Sequence, residues 1–384
     1  MNSTTRRGAW GRVVLAIAAS TAAVTATAVP AQAAPAASFD APVSYATGIY
    51  PWGITAGDIN GDGKRDVIIA NVEYRQVGSV TVYVNNGDGT FGSRSDYRLD
   101  TSPFETVLAD FNRDGKVDMA VARGIDIGQA AVTVFPGNGD GTFGTPTHYT
   151  VGDAPQSIAT GDMNGDGAPD LVTGNWLDET VSVLLNNGDG TFTERRFATG
   201  RGPEGVELAD MNSDGKLDVV TGNFFTSTVS VLLGRGDGTL RNATSFDAGN
   251  TTDDVGIADF DRDGKLDVIT ADFFVDSISV LRGNGHGRLS PKTTFATDVG
   301  PNKMKLGDMN LDGIVDVVTS SWFIGTVAIV PGNGDGTFGQ FTSMSLSEGI
   351  PAVDVGDLNN DGKPDLVATD YNFNGFMVLM NTTT

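Results

Sequence analysis

A nine-residue acidic string recurs seven times along this chain, and any fold must accommodate all seven copies. Asp58-Ile59-Asn60-Gly61-Asp62-Gly63-Lys64-Arg65-Asp66 returns as Asp110-Phe111-Asn112-Arg113-Asp114-Gly115-Lys116-Val117-Asp118, and again from Asp162, Asp210, Asp259, Asp308 and Asp357. The intervals are 52, 52, 48, 49, 49 and 49 residues. So regular a period implies stacked or radially arrayed units. It overrides the two or three domains that length alone would suggest.

Each unit reads as all-β. A short apolar segment such as Val206-Glu207-Leu208-Ala209 leads into the acidic string. A strand follows (Leu217 to Thr221), then an alternating strand of the type Val181-Ser182-Val183-Leu184-Leu185. A tight Asn187-Gly188-Asp189-Gly190 turn then opens a last strand; Asn-Gly and Asp-Gly steps between β-branched runs are hairpin signals. Four short antiparallel strands per unit make a propeller blade, so a seven-bladed β-propeller is expected. The seventh unit stops one strand short at Met377 to Asn381, while Ser38-Phe39 to Gly48 reads like Thr142-Phe143 to Gly152. The N-terminal strand is therefore expected to complete the last blade and close the ring, which removes free edges.

The strings have the oxygen pattern of a hard-cation loop. Position 1 is Asp58, Asp110, Asp162, Asp210, Asp259, Asp308 and Asp357; position 3 is Asn60, Asn112, Asn164, Asn212, Asp261, Asn310 and Asn359. Position 5 is Asp62, Asp114, Asp166, Asp214, Asp263, Asp312 and Asp361; position 9 is Asp66, Asp118, Asp170, Asp218, Asp267, Asp316 and Asp365. A backbone carbonyl is expected from position 7, at Lys64, Lys116, Ala168, Lys216, Lys265, Ile314 and Lys363. Calcium takes six to eight oxygens and suits this set better than magnesium, with its stricter octahedron. About seven calcium ions, one per blade, are expected. No Glu stands at position 12, so helix-opening calcium sensing is not.

The repeat resembles the FG-GAP (VCBS-type) repeat of integrin α-subunit propellers and of many secreted bacterial proteins. Phe143-Gly144 in one strand and Gly152-Asp153-Ala154-Pro155 entering the next carry both halves of that name. The resemblance implies that the acidic loop joins the first and second strands on one face, and that its calcium is structural. Leu240 and Leu289 stand where other turns carry Phe, and His286 replaces a turn aspartate.

Residues 1–33 have the layout of a secretory signal peptide: Arg6, Arg7 and Arg12, an apolar stretch from Val13 to Val29, and small residues at Ala31-Gln32-Ala33. Export by either the general or the twin-arginine route is expected, leaving residues 34–384 as an extracellular propeller. With no cysteine, an exported chain cannot use disulfides and depends on core burial or metal. The net charge of −23 argues against nucleic acid and anionic membrane surfaces as partners. No membrane insertion is expected, and a monomer is.

Two further features bear on function. Six residues beyond the ninth loop position stand Trp176, Phe224, Phe273, Trp322 and Tyr371, preceded by Asn175, Asn223, Asp272, Ser321 and Asp370. With Trp52 they are expected on the face opposite the acidic loops, where aromatic rings beside amides and carboxylates suit a sugar. Packing between neighbouring blades is the plainer reading of those rings. Glu105, Glu204, Glu207, Asp253, Asp254, Lys303, Lys305 and Asp354 are expected near the central channel, as a solvated rim or as acid–base groups. With two histidines and no cysteine, His-dependent triads and zinc catalysis are excluded. A non-catalytic binding module for carbohydrate or an extracellular protein surface is the leading expectation. The alternative is a calcium-stabilised polysaccharide-processing enzyme, lyase-like, with its site at the channel.

Overall fold

The computed structural model describes residues 36–73, 77–124 and 131–384; the expected signal segment lies outside them. Seven four-stranded antiparallel sheets follow one another around a ring, and the described residues include no helix. Blade four is typical: Pro203–Ala209, Asp218–Asn223, Thr228–Leu232 and Thr244–Asp247 run from the channel outward. Each second strand begins at a ninth-position aspartate, continues through two to four apolar residues and is buried throughout, so its polar side chains must find partners inside the blade.

The first strands touch their neighbours all the way round, including the first against the seventh, which closes the ring. Val43–Ala46 is the outermost strand of blade seven and pairs antiparallel with Gly375–Leu379, in the register Tyr45 to Phe376. The expected closure is the one observed. Seven hydrophobic clusters fill the seven blade interfaces; Ile54, Val67 and Phe91 of blade one meet Leu358, Val367 and Phe376 of blade seven. Leu240 bridges Gly234 where Phe143 bridges Gly137, so the leucine departures keep the same seat.

The inner edge poses a problem of its own, because a first strand has no partner on its channel side. Carboxylates from the preceding blade supply acceptors. The Ala56 amide donates to Asp354 at 2.8 Å, Ile158 to Glu105 at 3.2 Å and Met304 to Asp254 at 2.9 Å. Six of the seven first strands also carry a bulge at the same place. It turns out Trp52, Phe104, Gln156, Glu204 and Asp253 in blades one to five, and spans Asn302 and Lys303 in blade six.

Candidate functional site

The acidic loops are ordered from within by a chain of side-chain-to-backbone hydrogen bonds. In all seven, one position-1 carboxylate oxygen accepts the N–H of the position-6 glycine at 2.7–2.8 Å. Position 3 accepts from the position-5 N–H, and position 5 from the position-7 N–H. Glycine at position 6 lies at φ 79–84°. Position 4 is also left-handed, although only Gly61 and Gly165 occupy it as glycines; Arg113, Ser213, Arg262, Leu311 and Asn360 take φ 59–63° there. Holding five ordinary residues in that region costs about 1–2 kcal/mol each, so the surrounding bonds dictate the loop shape.

The ninth-position aspartate works as a clamp. One oxygen accepts the position-2 N–H at 2.8–3.1 Å, and the other accepts an N–H at the end of the third strand or two residues beyond it, at 2.7–2.9 Å. Burial, with the loop's own aspartates adding to it, pushes Asp170, Asp218, Asp267 and Asp316 up to about 6. Buried, mutually repelling carboxylates of this kind are suited to a cation. In blade five, oxygens of Asp259, Asp261 and Asp267 lie within 4.8 Å of one another. Ligands on opposite sides of a calcium ion are separated by about 4.6–5.2 Å, so the residues present fit that ion. Asp58 Oδ1 and Asp162 Oδ1 already accept three N–H groups each, but the position-1 oxygen bonded to the position-6 glycine accepts only that one and keeps a second lone pair for a cation.

The two roles separate by mutation. In chelator, Asp218→Ala strands the buried N–H groups of Met211 and Gly234 and is expected to cost about 2–4 kcal/mol. The exposed Asp214→Ala should cost under about 1 kcal/mol. Equal losses in metal-free thermal melts would contradict the clamp.

On the opposite face the structure gathers the aromatic residues into an arc of rings. Ring centroids lie 4.8 Å apart for Trp176–Phe225, 6.4 Å for Phe224–Phe274 and 5.0 Å for Phe273–Phe323. The arc continues through Trp322–Tyr371 at 5.8 Å, Trp52–Trp322 at 5.4 Å and Trp52–Phe104 at 6.5 Å. It thus runs from blade three round to blade two. The five rings at this spacing, and Trp52, are half-buried and touch rings of neighbouring blades.

In blades three to seven a side chain one or two residues further on is what faces solvent. Phe225 is 51% exposed, Phe274 53%, Phe323 57%, and Phe373, two beyond Tyr371, 68%. With Leu177, Val275, Ile324, Ile49, Val77 and Val299, they are ten of the twelve exposed large hydrophobic side chains in the described residues; only Val43 and Leu311 lie elsewhere. Scattered apolar side chains need no explanation, but this concentration on one face does. The signal was present as doublets, Phe224-Phe225, Phe273-Phe274 and Trp322-Phe323, inside a four-residue turn. Those turns end in left-handed Glu179, Ser227, Asp276 and Asn374, with Gly325 in blade six.

The polar residues expected to serve a sugar are otherwise engaged. Asn175 donates to Ser182 at 2.9 Å and Thr180 at 3.0 Å; Asn223 does the same with Ser230 and Thr228. Asp272 accepts from Thr270, Ser277 and Ser279. All are buried and stitch the second strand to the third. The carboxylates on this face belong instead to its loops: Glu73, Asp100, Asp153, Asp178, Glu179, Asp276, Asp298 and Glu348, of which Asp100, Asp178 and Glu179 are ion-paired with Arg123, Arg196 and Arg201.

A profile of the FG-GAP-like repeat matches residues 58–121, 110–173, 173–221, 210–270, 259–319 and 308–368. The chain belongs to the FG-GAP-like repeat family. Human integrin alpha-7 is 31% identical over 150 residues, covering 34% of this chain and 12% of the integrin; the rat protein is 31% identical over 147 residues, with 34% and 13% covered. This FG-GAP propeller thus spans only about an eighth of the length of those relatives. A lectin from Agrocybe aegerita, solved for its recognition of non-reducing terminal N-acetylglucosamine, superposes with TM-score 0.53 at 21% identity, over 78% of this chain and 82% of the lectin. BBS1N in complex with ARL6DN superposes with TM-score 0.64 at 13% identity, over 91% and 98%. At these identities the likeness is one of fold.

The channel of the FG-GAP propeller holds a cavity of about 380 Å³ lined from all seven blades, with Glu105, Glu207, Asp254, Lys305 and Asp354 among its walls. Three of those carboxylates are the acceptors that cap the inner edge. Burial alone would lower Lys303 and Lys305, but the surrounding carboxylates outweigh it and push both up; Lys303 Nζ lies 3.8 Å from Asp254. Burial drives Glu204 up to about 7 and Asp253 well above the usual range. Lysines held charged among capping carboxylates fit a structural network better than an acid–base pair.

Proposed function

We propose that this chain is an exported, calcium-stabilised, non-catalytic binding module whose aromatic face captures an extracellular protein surface. The observation that carries the reading is the concentration of ten exposed large hydrophobic side chains on the loops opposite the acidic strings. A contiguous apolar patch bordered by polar groups marks an interaction surface. The turns presenting it hold non-glycine residues in left-handed conformations, so the face is set before any partner arrives. Calcium in the seven loops is supported by the oxygen sets, by their spacing in blade five and by the raised ninth-position carboxylates. Carbohydrate is the second reading; the half-exposed Trp52, Trp176 and Trp322 rings favour it, and the committed Asn and Asp side chains weigh against it.

The test screens the mature chain with calcium on a glycan array and an extracellular-protein array, beside Phe225→Ser, Phe274→Ser and Phe323→Ser. Each substitution is expected to leave the melting temperature within a degree or two, since the rings are more than half exposed. Protein hits should weaken by about 10- to 100-fold. A ligand indifferent to all three would remove the aromatic face from the reading, and a glycan hit that depends on them would transfer it to sugars. In parallel, Trp176→Ala should melt lower, by about 2–3 kcal/mol of stability, because its ring packs on Phe224 and Phe225.

A further inference from the structure

The aromatic face carries a charge pattern that narrows its partner, provided the binding-module reading holds. The described loops of this face carry eight carboxylates and one cation; Glu179 pairs with Arg201 at 2.8 Å, Asp178 with Arg196 at 3.1 Å and Asp100 with Arg123, the last two cations reaching in from strands, while Asp276, Asp298 and Glu348 stand outside these ion pairs. Several acids sit beside the exposed rings: Asp276 shares a turn with Phe274, and Asp298 lies two residues from Gly300, which packs against Phe323. An apolar surface with an acidic border excludes much. Nucleic acid and anionic membranes meet like charge, and two copies of the chain would set border against border. A neutral glycan would need paired hydrogen-bonding groups at the rings, and those at the strand ends are spent inside the blades.

We infer that the occupant is a polypeptide presenting an apolar centre flanked by Lys and Arg. Such a segment would lay its apolar side chains across the Phe225, Phe274 and Phe323 rings and place its cations against Asp276, Asp298 and Glu348. Attraction beside an apolar surface is stronger than in open water, and an exposed border still makes the association salt-dependent.

The experiment titrates the mature, calcium-loaded chain with three synthetic 18-residue peptides and with phosphatidylcholine vesicles. One peptide carries Leu and Lys at amphipathic helical spacing, the second Leu and Glu at the same spacing, and the third Ser in place of every Leu. Saturable binding of the Leu/Lys peptide is expected, at least tenfold tighter than either of the others and at least tenfold weaker at 500 mM salt than at 50 mM. The triple variant Asp276→Asn, Asp298→Asn, Glu348→Gln should weaken it by about tenfold with unchanged melting, and Phe274→Ser with Phe323→Ser by more. Equal binding of the Leu/Glu peptide would overturn the charge complementarity. Equal binding of the Ser/Lys peptide, or indifference to the phenylalanine variants, would reduce the effect to net charge. Vesicle binding without peptide binding would assign the face to membranes. If the Leu/Lys peptide fails while an array ligand still depends on Phe225, Phe274 or Phe323, this inference falls and the binding module stands.

Discussion

Stripping calcium from the mature chain at pH 7.4 is expected to lower its melting temperature by more than about 10 °C. At a hundred times its dissociation constant, each proposed site would contribute about 2.7 kcal/mol, and seven such sites would act on one cooperative ring. In a chain of this size each kcal/mol moves the midpoint by about 2 °C, so even partial additivity gives a large drop. The pH dependence should change sign with the metal. In chelator, Asp170, Asp218, Asp267 and Asp316 sit at about 6 folded against about 3.9 unfolded. The folded chain therefore binds more protons between these values, and stability falls as pH rises from 4 to 6. With calcium the ions require ionised carboxylates, so stability should instead be lost as pH falls through that window. Calorimetry at pH 5 and pH 7, with calcium and with chelator, reads both slopes. Parallel slopes, or a midpoint unmoved by prolonged dialysis against chelator, would refute a stabilising cation in these loops.

Deleting Phe39 to Gly48 should abolish cooperative melting or drive the chain to aggregate. The deletion leaves Gly375–Leu379 as a bare edge, but a larger loss is Tyr45. Its ring lies 5.1 Å from Phe376, 5.4 Å from Phe91 and 5.8 Å from Tyr83, at the junction of blades seven and one. Tyr83 Oη also donates to the Ala46 carbonyl at 2.7 Å. Tyr45→Ala alone is expected to cost about 3 kcal/mol, near the lower end for truncating an aromatic residue at a packed interface. A synthetic peptide covering 36–50, added to the deleted chain, should restore the transition. A deleted chain that melts like the intact one would mean the ring closes without this strand.

The blade count, the strand order and the closing strand were legible because they depend on period and alternation, which burial imposes on every copy alike. The loops were legible for the same reason: Asp at 1, 5 and 9 repeats without exception. What escaped were features set by particular contacts, which leave no periodic mark. Asn175 and Asn223 read as loop residues facing a ligand, yet the second strand extends to include them, and their amides bond to the third. Phe225 and Phe274 were overlooked beside Phe224 and Phe273. In a four-residue turn the first ring folds back over the blade boundary while the second points outward, and spacing alone does not distinguish them. Left-handed Arg113 or Leu311 at position 4 carries no compositional mark, because the backbone N–H groups donating to Asp110 and Asp308 dictate it.

The pairing of Phe39 with Asn381, and of the Thr382 amide with the Ser38 carbonyl at 2.7 Å, brings both ends of the described chain to one spot on the rim. That spot lies on the acidic-loop side of blade seven, where Lys363 of the seventh loop donates to Thr383. A tag, a tether or a second domain joined at either end would therefore attach at the back of the ring. The phenylalanine tips would face away from whatever holds the propeller, like a probe head mounted on its stalk. Immobilising the chain through its C-terminus should accordingly leave the aromatic face open to solution, and a fusion at one end would crowd the other end before it crowded that face.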